Sequence, residues 1–268
     1  MKKLLIVMLA AGMVFATAAC GSTGSSTSSS TDTSDKITSL DDLEGKKIGV
    51  QLGTTGDLAA TDEFGDEQVE RFDKGFEAVQ ALTQGKIDAV IIDDQPAQTF
   101  VEQTEGLTIL DTDYVVEDYA MCFKKDNTEL VDKVNTAIAE LKEDGTFDQI
   151  VDYYLVEDSE EARYESPADI EYTNGTLKMG TNAEFPPYEY YEGQEIVGID
   201  ADFAKAIADK LGMELEIEDM KFDAIIMAVT SGKVDFGAAG MTVTPEREEQ
   251  VLFADSYYTG RQVVIVNE

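Results

Sequence analysis

The sequence predicts an α/β protein with two sheets. Strands alternate with helices in two runs, residues 37–155 and 177–266, and the acidic, apolar-poor stretch Glu157–Gly175 lies between them. Such alternation is typical of sheets with helices packed against them. The apolar run Asp88–Ile92 also indicates a strand buried on both faces, as in a parallel sheet.

The first run begins with a short helix or turn at Leu40–Gly45. Gly and Pro residues mark the boundaries of the elements that follow, and apolar residues three or four positions apart indicate the helices. We predict strands at Lys47–Gln51, Gln68–Phe72, Asp88–Ile92 and Leu107–Leu110, an extended segment at Tyr114–Lys124, and helices at Asp57–Asp62, Phe76–Gln84, after Asp94 with Pro96 in the first turn, at Leu130–Lys142 and at Phe147–Leu155.

The second run opens with a strand followed by a stiff aromatic loop, Phe185–Tyr188. A hairpin over Tyr188–Ile199 turns at Glu192-Gly193, and Gly212 ends the next helix. The remaining predictions are strands at Leu177–Thr181, Met213–Ile217 and Val234–Gly240, helices at Asp202–Leu211 and Phe222–Thr230, and extended segments at Leu252–Asp255 and Gln262–Val266.

The charge composition excludes several functions. The 268 residues include 55 acidic and 20 basic side chains, for a net charge of -35, and no His. A chain this acidic repels nucleic acid, and without His it lacks the commonest catalytic base and metal ligand. We therefore predict no catalytic residue, no metal and no cofactor. Cys122 lies in an apolar run and is predicted to be a buried small hydrophobe, so no disulfide framework is indicated.

The N-terminus is predicted to be a targeting segment. Lys2 and Lys3 precede the short apolar stretch Leu4–Val14, and Thr17–Cys20 ends in Cys. This pattern resembles a bacterial lipoprotein signal (residues 1–20) with Cys20 as the lipidated residue; an ordinary secretory signal is the alternative. Residues 21–35, rich in Ser and Thr, are predicted to be a flexible tether, which implies an extracytoplasmic protein anchored to the membrane.

The segment Gly237–Arg247 is a candidate anion site. Thr244 can cap a helix whose first residue is Pro245, which places Arg247 in the first turn, where a cation is unfavourable unless an anion neutralises it. A carboxylate site formed by Arg247, the Thr242 hydroxyl and backbone N–H groups is one interpretation. A surface Arg paired with a neighbouring Glu is the other.

These segments resemble a known family. The stretches Leu177–Tyr188, Val197–Asp202, Phe222–Ile226 and Gly237–Arg247 are similar to one lobe of polar amino-acid binding proteins of ABC importers, the extracellular solute-binding family 3. Segments 37–57, 88–96 and 145–154 are similar to the other lobe and its closing helices. The resemblance implies a two-lobed periplasmic-binding-protein fold (type II), with a sheet flanked by helices in each lobe and a ligand cleft between the lobes.

The resemblance also implies roles for individual residues. Arg247, with Thr242 and the Gly240 backbone, is expected to hold the α-carboxylate of the ligand, and Asp93 is expected to accept its α-ammonium. Phe185 and Phe222 are expected to sandwich the ligand side chain. Selectivity is expected at Asn182, Gln51 and Thr55, and Tyr188 and Glu184 are also expected to reach the pocket.

From the residues alone, each of these has another interpretation. An Asp after a strand is usually a helix cap, Phe residues are usually core, and Gln51 and Asn182 suit ordinary turns. Thr55 is equally consistent with a helix start.

The predicted function is capture of a free L-amino acid, with a neutral polar or basic side chain, for delivery to an ABC transporter permease. An amino-acid sensor module is a second hypothesis. A dehydratase-like enzyme on the same fold is a third, weakened because only Glu184, Asp94 or a Tyr could transfer protons.

The order of the segments departs from the family, since its usual first segment begins here at Leu177. We therefore predict a circular permutation in which the connector 157–176 joins the family's usual ends. One lobe is expected to comprise 36–117 plus 263–268. The other is expected to comprise 118–262, with crossings near 118–124 and 257–262.

Overall fold

The computed structural model describes residues 36–268, so the predicted signal at 1–20, Cys20 and the tether at 21–35 lie outside the described residues. No helix within 36–268 is long and apolar enough to cross a membrane. The strands are β1 (Ile48–Gln51), β2 (Val69–Phe72), β3 (Ala89–Asp93), β4 (Leu107–Ile109), β5 (Val115–Tyr119), β6 (Cys122–Lys124), β7 (Thr176–Thr181), β8 (Glu184–Phe185), β9 (Glu189–Glu192), β10 (Glu195–Val197), β11 (Glu214–Asp219), β12 (Phe236–Gly237), β13 (Val251–Phe253) and β14 (Tyr258–Asn267).

The helices confirm most of the predicted positions. They are α1 (Thr55–Phe64), α2 (Gly75–Thr83), α3 (Asp94–Glu102), α4 (Thr128–Glu143), α5 (Thr146–Leu155), α6 (Ile199–Leu211), α7 (Ile225–Ser231) and α8 (Pro245–Glu248), with 3-10 turns at Leu40–Leu43 and Phe222–Ala224. Five helices, α1, α2, α4, α5 and α6, start one to three residues earlier than predicted. Thr54 caps α1 by accepting the Asp57 N–H, and Gly198 allows α6 to begin directly after β10.

Two main sheets organise the structure. The first sheet has the order β2-β1-β3-β14-β4, with β5 also paired to β14; the second has the order β11-β7-β12-β6-β13. Strands β8, β9 and β10 form a small antiparallel sheet. Helices α1, α2 and α3 pack against the first sheet, and α6 and α7 pack against the second, which confirms the predicted α/β class with sheets flanked by helices.

The chain passes twice between the two sheets. The predicted extended segment Tyr114–Lys124 is divided, because β5 belongs to the first sheet and β6 to the second. The chain crosses back to the first sheet after β13. Strand β14 begins at Tyr258, five residues before the predicted lobe boundary at 263. The two crossings hydrogen bond to each other, from Tyr257 N to Tyr119 O at 3.0 Å and from Ala254 N to Met121 O at 2.9 Å.

The C-terminal strand lies inside the first sheet rather than at its edge. Strand β14 pairs antiparallel with β3, β4 and β5. Val264 and Val266 share a hydrophobic cluster with Ile37, Leu43 and Ile48, so both ends of the described chain contribute to one core.

The stretch between α5 and β7 is anchored on α6. The Arg163 guanidinium binds the Asp202 carboxylate, and the Tyr164 and Tyr172 hydroxyls donate to the two oxygens of Asp209 at 2.8 and 2.9 Å. This predicted connector therefore has its own tertiary contacts.

Candidate functional site

A small cavity of about 10 Å³ lies between the two main sheets. Its walls come from strand ends and loops of both sheets and include most of the predicted site. The lining residues are Gln51, Thr54, Thr55, Asp93, Asn182, Phe185, Glu189, Phe222, Ala239, Gly240, Thr242 and Gln262.

Arg247 is a buried cation beside this cavity. Thr244 caps α8 by accepting the Arg247 N–H, and Pro245 is the first helical residue, as predicted. The Arg247 side chain, however, turns inward and the residue is only 5% exposed. Its guanidinium donates to the Thr242 carbonyl at 2.7 Å and the Gly53 carbonyl at 3.1 Å, and lies 5.4 Å from the centre of the Phe222 ring.

No carboxylate among residues 36–268 forms an ion pair with Arg247. The alternative of a surface Arg paired with an adjacent Glu is therefore not what the structure shows. Burial lowers the pKa of the guanidinium because the charged form loses hydration. A buried cation held only by carbonyl groups and an aromatic ring is electrostatically suited to an incoming anion.

Asp93 lies across the cavity, at the end of β3. It occupies the cap position of α3, but its side chain makes no capping hydrogen bond; instead it accepts the Tyr119 hydroxyl. Burial, and then the nearby charge of Glu117, raise the pKa of Asp93 well above its usual range. A cation bound here would favour the ionised carboxylate.

Glu117 and Gln262 are site residues that the sequence reasoning missed. The Glu117 carboxylate accepts the Thr242 hydroxyl at 2.5 Å and the Gln262 amide at 2.6 Å, so it links β5, β14 and the segment before α8. The Thr55 hydroxyl donates to Thr242 at 2.9 Å. In the sequence, Glu117 is notable only as an acidic residue within the extended run Val115–Tyr119. Its partners Thr242 and Gln262 are far away in the chain, so no local pattern indicates that it belongs to the site.

The predicted selectivity residues meet across the cavity. The Gln51 amide donates to the Asn182 side-chain oxygen at 2.8 Å, and Asn182 donates to the Met220 carbonyl at 2.9 Å. Phe185 lines the cavity and stacks on Tyr188 with ring centres 5.6 Å apart. The Gly240 N–H donates to Asp200 at 2.9 Å, so this backbone donor already has a partner in the structure.

Two ion pairs connect the parts of the chain that hold the two main sheets. Lys74, before α2, pairs with Glu184 of β8, and Lys221, before α7, pairs with Asp73 at 2.6 Å. Each pair joins a residue adjoining the first sheet to one adjoining the small sheet or the second sheet. Glu184 lines a separate surface pocket and is absent from the lining of this cavity.

The residues considered for an enzymatic role are otherwise engaged. Asp94 binds the Arg261 guanidinium at 2.8 Å, and Glu184 binds Lys74. Cys122 is buried and burial raises the pKa of its thiol to about 12, as for a small hydrophobic residue of the core. Among residues 36–268, no group of acidic or Cys side chains is arranged to hold a metal ion.

Sequence comparisons identify relatives of this chain. A profile for bacterial extracellular solute-binding proteins, family 3, matches residues 68–157 and 177–268. The arginine-binding extracellular protein ArtP of Bacillus subtilis (strain 168) is 49% identical over 89 residues, which cover 33% of this chain and 35% of that protein. The L-cystine-binding protein TcyJ of Escherichia coli (strain K12) is 33% identical over 111 residues, covering 41% of this chain and 42% of that protein.

Solved structures of amino-acid-binding proteins are also similar to parts of this chain. An ancestral arginine-binding protein bound to arginine is 52% identical over a region covering 31% of this chain and 38% of that chain, with a TM-score of 0.31. The same figures hold for an ancestral arginine-binding protein bound to glutamine. The chain spans about a third of the length of ArtP, the first of these relatives.

Proposed function

Because the chain belongs to the bacterial extracellular solute-binding proteins of family 3, we propose that it captures a free L-amino acid between its two sheets and delivers it to an ABC importer. The family is one of binding proteins, and the chain is not an enzyme. The fold is the two-lobed periplasmic-binding-protein type.

The observation that carries this proposal is Arg247, a buried guanidinium with no carboxylate partner in the described chain, facing the buried acid Asp93 across a cavity. A zwitterion has the complementary charges. Its α-carboxylate would bind Arg247 and the Thr242 hydroxyl beside Gly240, with the proton of that hydroxyl turned away from Glu117. Its α-ammonium would bind Asp93. Each charge-assisted bond contributes roughly 1.5–3 kcal/mol.

Binding would be coupled to closure of the cavity. Arg247 lies in α8, between β12 and β13 of the second sheet, whereas Asp93 belongs to β3 of the first sheet. Both ends of a zwitterion are therefore bound only when the two sheets approach each other. The contacts from Arg247 to Gly53 and from Gln51 to Asn182 also form only in that arrangement. The ligand therefore stabilises the closed form by its differential affinity for it, and an importer can recognise that form.

The ligand side chain is proposed to be neutral polar or basic. Phe185 and Phe222 supply apolar walls, while Gln51, Asn182 and Thr55 supply hydrogen-bonding groups. Asp93 and Glu189 line the cavity, and Arg247 is the cation beside it, so a second ligand carboxylate would be buried without a partner. The relatives named as arginine-binding and L-cystine-binding proteins fit this range.

The binding site is tested with an Arg247→Ala variant. A thermal-shift screen of the common amino acids identifies the ligand, since a ligand at 100 times its Kd stabilises the fold by about 2.7 kcal/mol. Calorimetry should then show a loss of affinity of about 100-fold or more, roughly 3 kcal/mol. Arg261→Ala is the matched control, because Arg261 binds Asp94 and Asp113 at the surface. Wild-type affinity in Arg247→Ala would refute the assignment.

We further propose that Cys20 is lipidated and anchors the protein outside the cytoplasm through the tether 21–35. The support is the sequence pattern of residues 1–20. In a bacterial host, the wild type should incorporate a labelled fatty acid and fractionate with membranes, and Cys20→Ser should do neither. Labelling of Cys20→Ser equal to that of the wild type would contradict the proposal.

The proposed lobes are a permuted form of the family fold. One comprises 36–117 with the terminal strand, and the other comprises most of 118–262. Support comes from the family profile, whose two matched regions leave 158–176 unmatched between them, and from Ile37 and Val266 sharing one cluster. A gene in which Glu268 is joined to Lys36 and the chain is opened within 158–176 should yield a protein that binds the same amino acid. Failure of that protein to fold would count against permutation.

A further inference from the structure

Glu189, the first residue of β9, has an unusual environment. It is 1% exposed, it lines the cavity, and neither carboxylate oxygen has a hydrogen-bond donor among residues 36–268. No Lys or Arg of the described chain forms an ion pair with it. An ionised carboxylate in such a place would cost several kcal/mol.

The charged groups that face Glu189 are acidic. Asp200, at the start of α6, lies beside Glu189, because its N–H donates to the carbonyl of Tyr188, the preceding residue, at 2.9 Å. The charge of Asp93 also acts on Glu189. Burial and the Asp200 charge both raise the pKa of Glu189 well above its usual range. Two carboxyl groups in contact are stable when they share a proton, because one then donates to the other.

Asp200 is the natural acceptor of that proton. It is fully buried, and it accepts the Gly240 N–H at 2.9 Å and the Tyr257 hydroxyl at 2.8 Å. Burial raises the pKa of Asp200 to about 6, while these donors favour its ionised form. A protonated Glu189 adds a third donor to this carboxylate.

The partners of Asp200 connect the pair to the ligand site. Gly240 has a φ of 52° and lines the cavity two residues before Thr242, whose carbonyl accepts from Arg247. Tyr257 lies in the second crossing between the sheets. Asp200 therefore connects this carboxyl pair to the Gly240–Thr242 segment and to the second crossing between the sheets.

We propose that Glu189 is a neutral carboxylic acid that donates to Asp200, and that this hydrogen bond positions the Gly240–Thr242 segment for the ligand. Glu189 is thus a positioning residue, and its effect on affinity rests on the proposed amino-acid binding. Above the pH at which Glu189 ionises, two adjacent carboxylates would repel, the segment would shift, and ligand affinity would fall.

The first test uses infrared spectroscopy of the ligand-free protein. The wild type should show C=O absorption of protonated carboxyl groups at neutral pH, and Glu189→Gln should lose the component that belongs to Glu189 while any component from Asp93 remains. Glu192→Gln is the matched control, because Glu192 lies on the same strand and is exposed. Identical spectra for the wild type and Glu189→Gln would overturn the proposal, whether or not an amino acid binds.

Amide hydrogen exchange and calorimetry test the positioning role. Glu189→Gln keeps a donor of the same shape, so the exchange rate of the Gly240 N–H should be unchanged and the ligand affinity should stay within about twofold. The fall in ligand affinity above neutral pH should be smaller in this variant than in the wild type. Glu189→Ala should accelerate Gly240 exchange and weaken binding about tenfold or more. A larger loss for arginine than for glutamine in Glu189→Gln would overturn the proposal, because it would identify Glu189 as an anion that pairs with the ligand side chain.

Discussion

Removal of Arg163 should destabilise the protein through the residue it leaves behind. The Arg163 guanidinium makes two short contacts with Asp202, both at 2.9 Å, and a longer one with Glu195 at 3.2 Å. The Asp202 side chain is 1% exposed and that of Arg163 is 25% exposed. In Arg163→Ala, the buried carboxylate of Asp202 would retain only the Tyr154 hydroxyl, at 2.7 Å.

The magnitude follows from this geometry. Loss of one partner from a fully buried ion pair costs about 3–5 kcal/mol. Arg163 is partly exposed, so solvent screens the pair, and Tyr154 remains; we therefore expect a loss of about 2–3 kcal/mol in the free energy of unfolding. For a domain of this size that corresponds to a fall in Tm of about 4–10 °C.

Urea unfolding followed by circular dichroism measures this effect. Arg261→Ala is the control, because Arg261 also binds two carboxylates but is 51% exposed, and it should cost less than about 1 kcal/mol. Asp202→Asn in the Arg163→Ala background should recover part of the loss, since it removes the unpaired charge. A change below about 0.5 kcal/mol in Arg163→Ala would show that the connector is not anchored on α6 as described.

Three further predictions concern closure, backbone strain and pH. Lys74→Ala should weaken ligand affinity a few-fold at low salt and much less at 1 M NaCl, because its partly exposed pair with Glu184 is screened; titrations showing no salt dependence of this difference would argue against a role in closure. Gly198→Ala should cost more than about 2 kcal/mol in chemical denaturation, because φ is 125° and a Cβ would lie 2.2 Å from the Tyr188 carbonyl oxygen. The control Gly193→Ala, with φ 66° and open space, should cost about 1 kcal/mol. The pKa of Asp200 is about 6 in the folded protein and 3.8 for a free side chain, so the folded state binds more protons than the unfolded state between these two pH values. The free energy of unfolding should therefore fall by on the order of 3 kcal/mol as pH rises from about 4 to about 6. Asp200→Asn should lack this component in unfolding curves measured across that range, and equal pH slopes in the two proteins would show that Asp200 is not perturbed.

Two differences between sequence and structure concern where strands begin, end and pair. Tyr114–Lys124 reads as one extended segment, yet β5 and β6 belong to different sheets. The apolar run Val234–Gly240 contributes only Phe236–Gly237 to a strand, because Gly240 turns the chain and its N–H bonds to Asp200. Local periodicity reports that a residue is extended or buried, not which strand it pairs with.

The role of Asp93 is implied by the family resemblance, whereas the α/β class, most helices and strands, and Arg247 as a candidate anion-binding residue are predicted from the sequence alone. These depend on local features, such as apolar spacing, Gly and Pro breaks, and the cap that precedes Arg247. Only the tertiary structure showed that Arg247 is buried without a carboxylate partner, that Asp93 accepts from Tyr119 rather than capping α3, and that Gln262 enters the site.

The physical reason is the distance along the chain between partners. Glu117 binds Thr242 and Gln262, which are 125 and 145 residues away, and these contacts exist only because β14 inserts between β3 and β4. Strand pairing of that kind depends on the packing of the whole chain, so no local pattern predicts it. Likewise, Glu189 and Asp200 each read as ordinary hairpin and helix-start acids until burial brings them together beside Gly240.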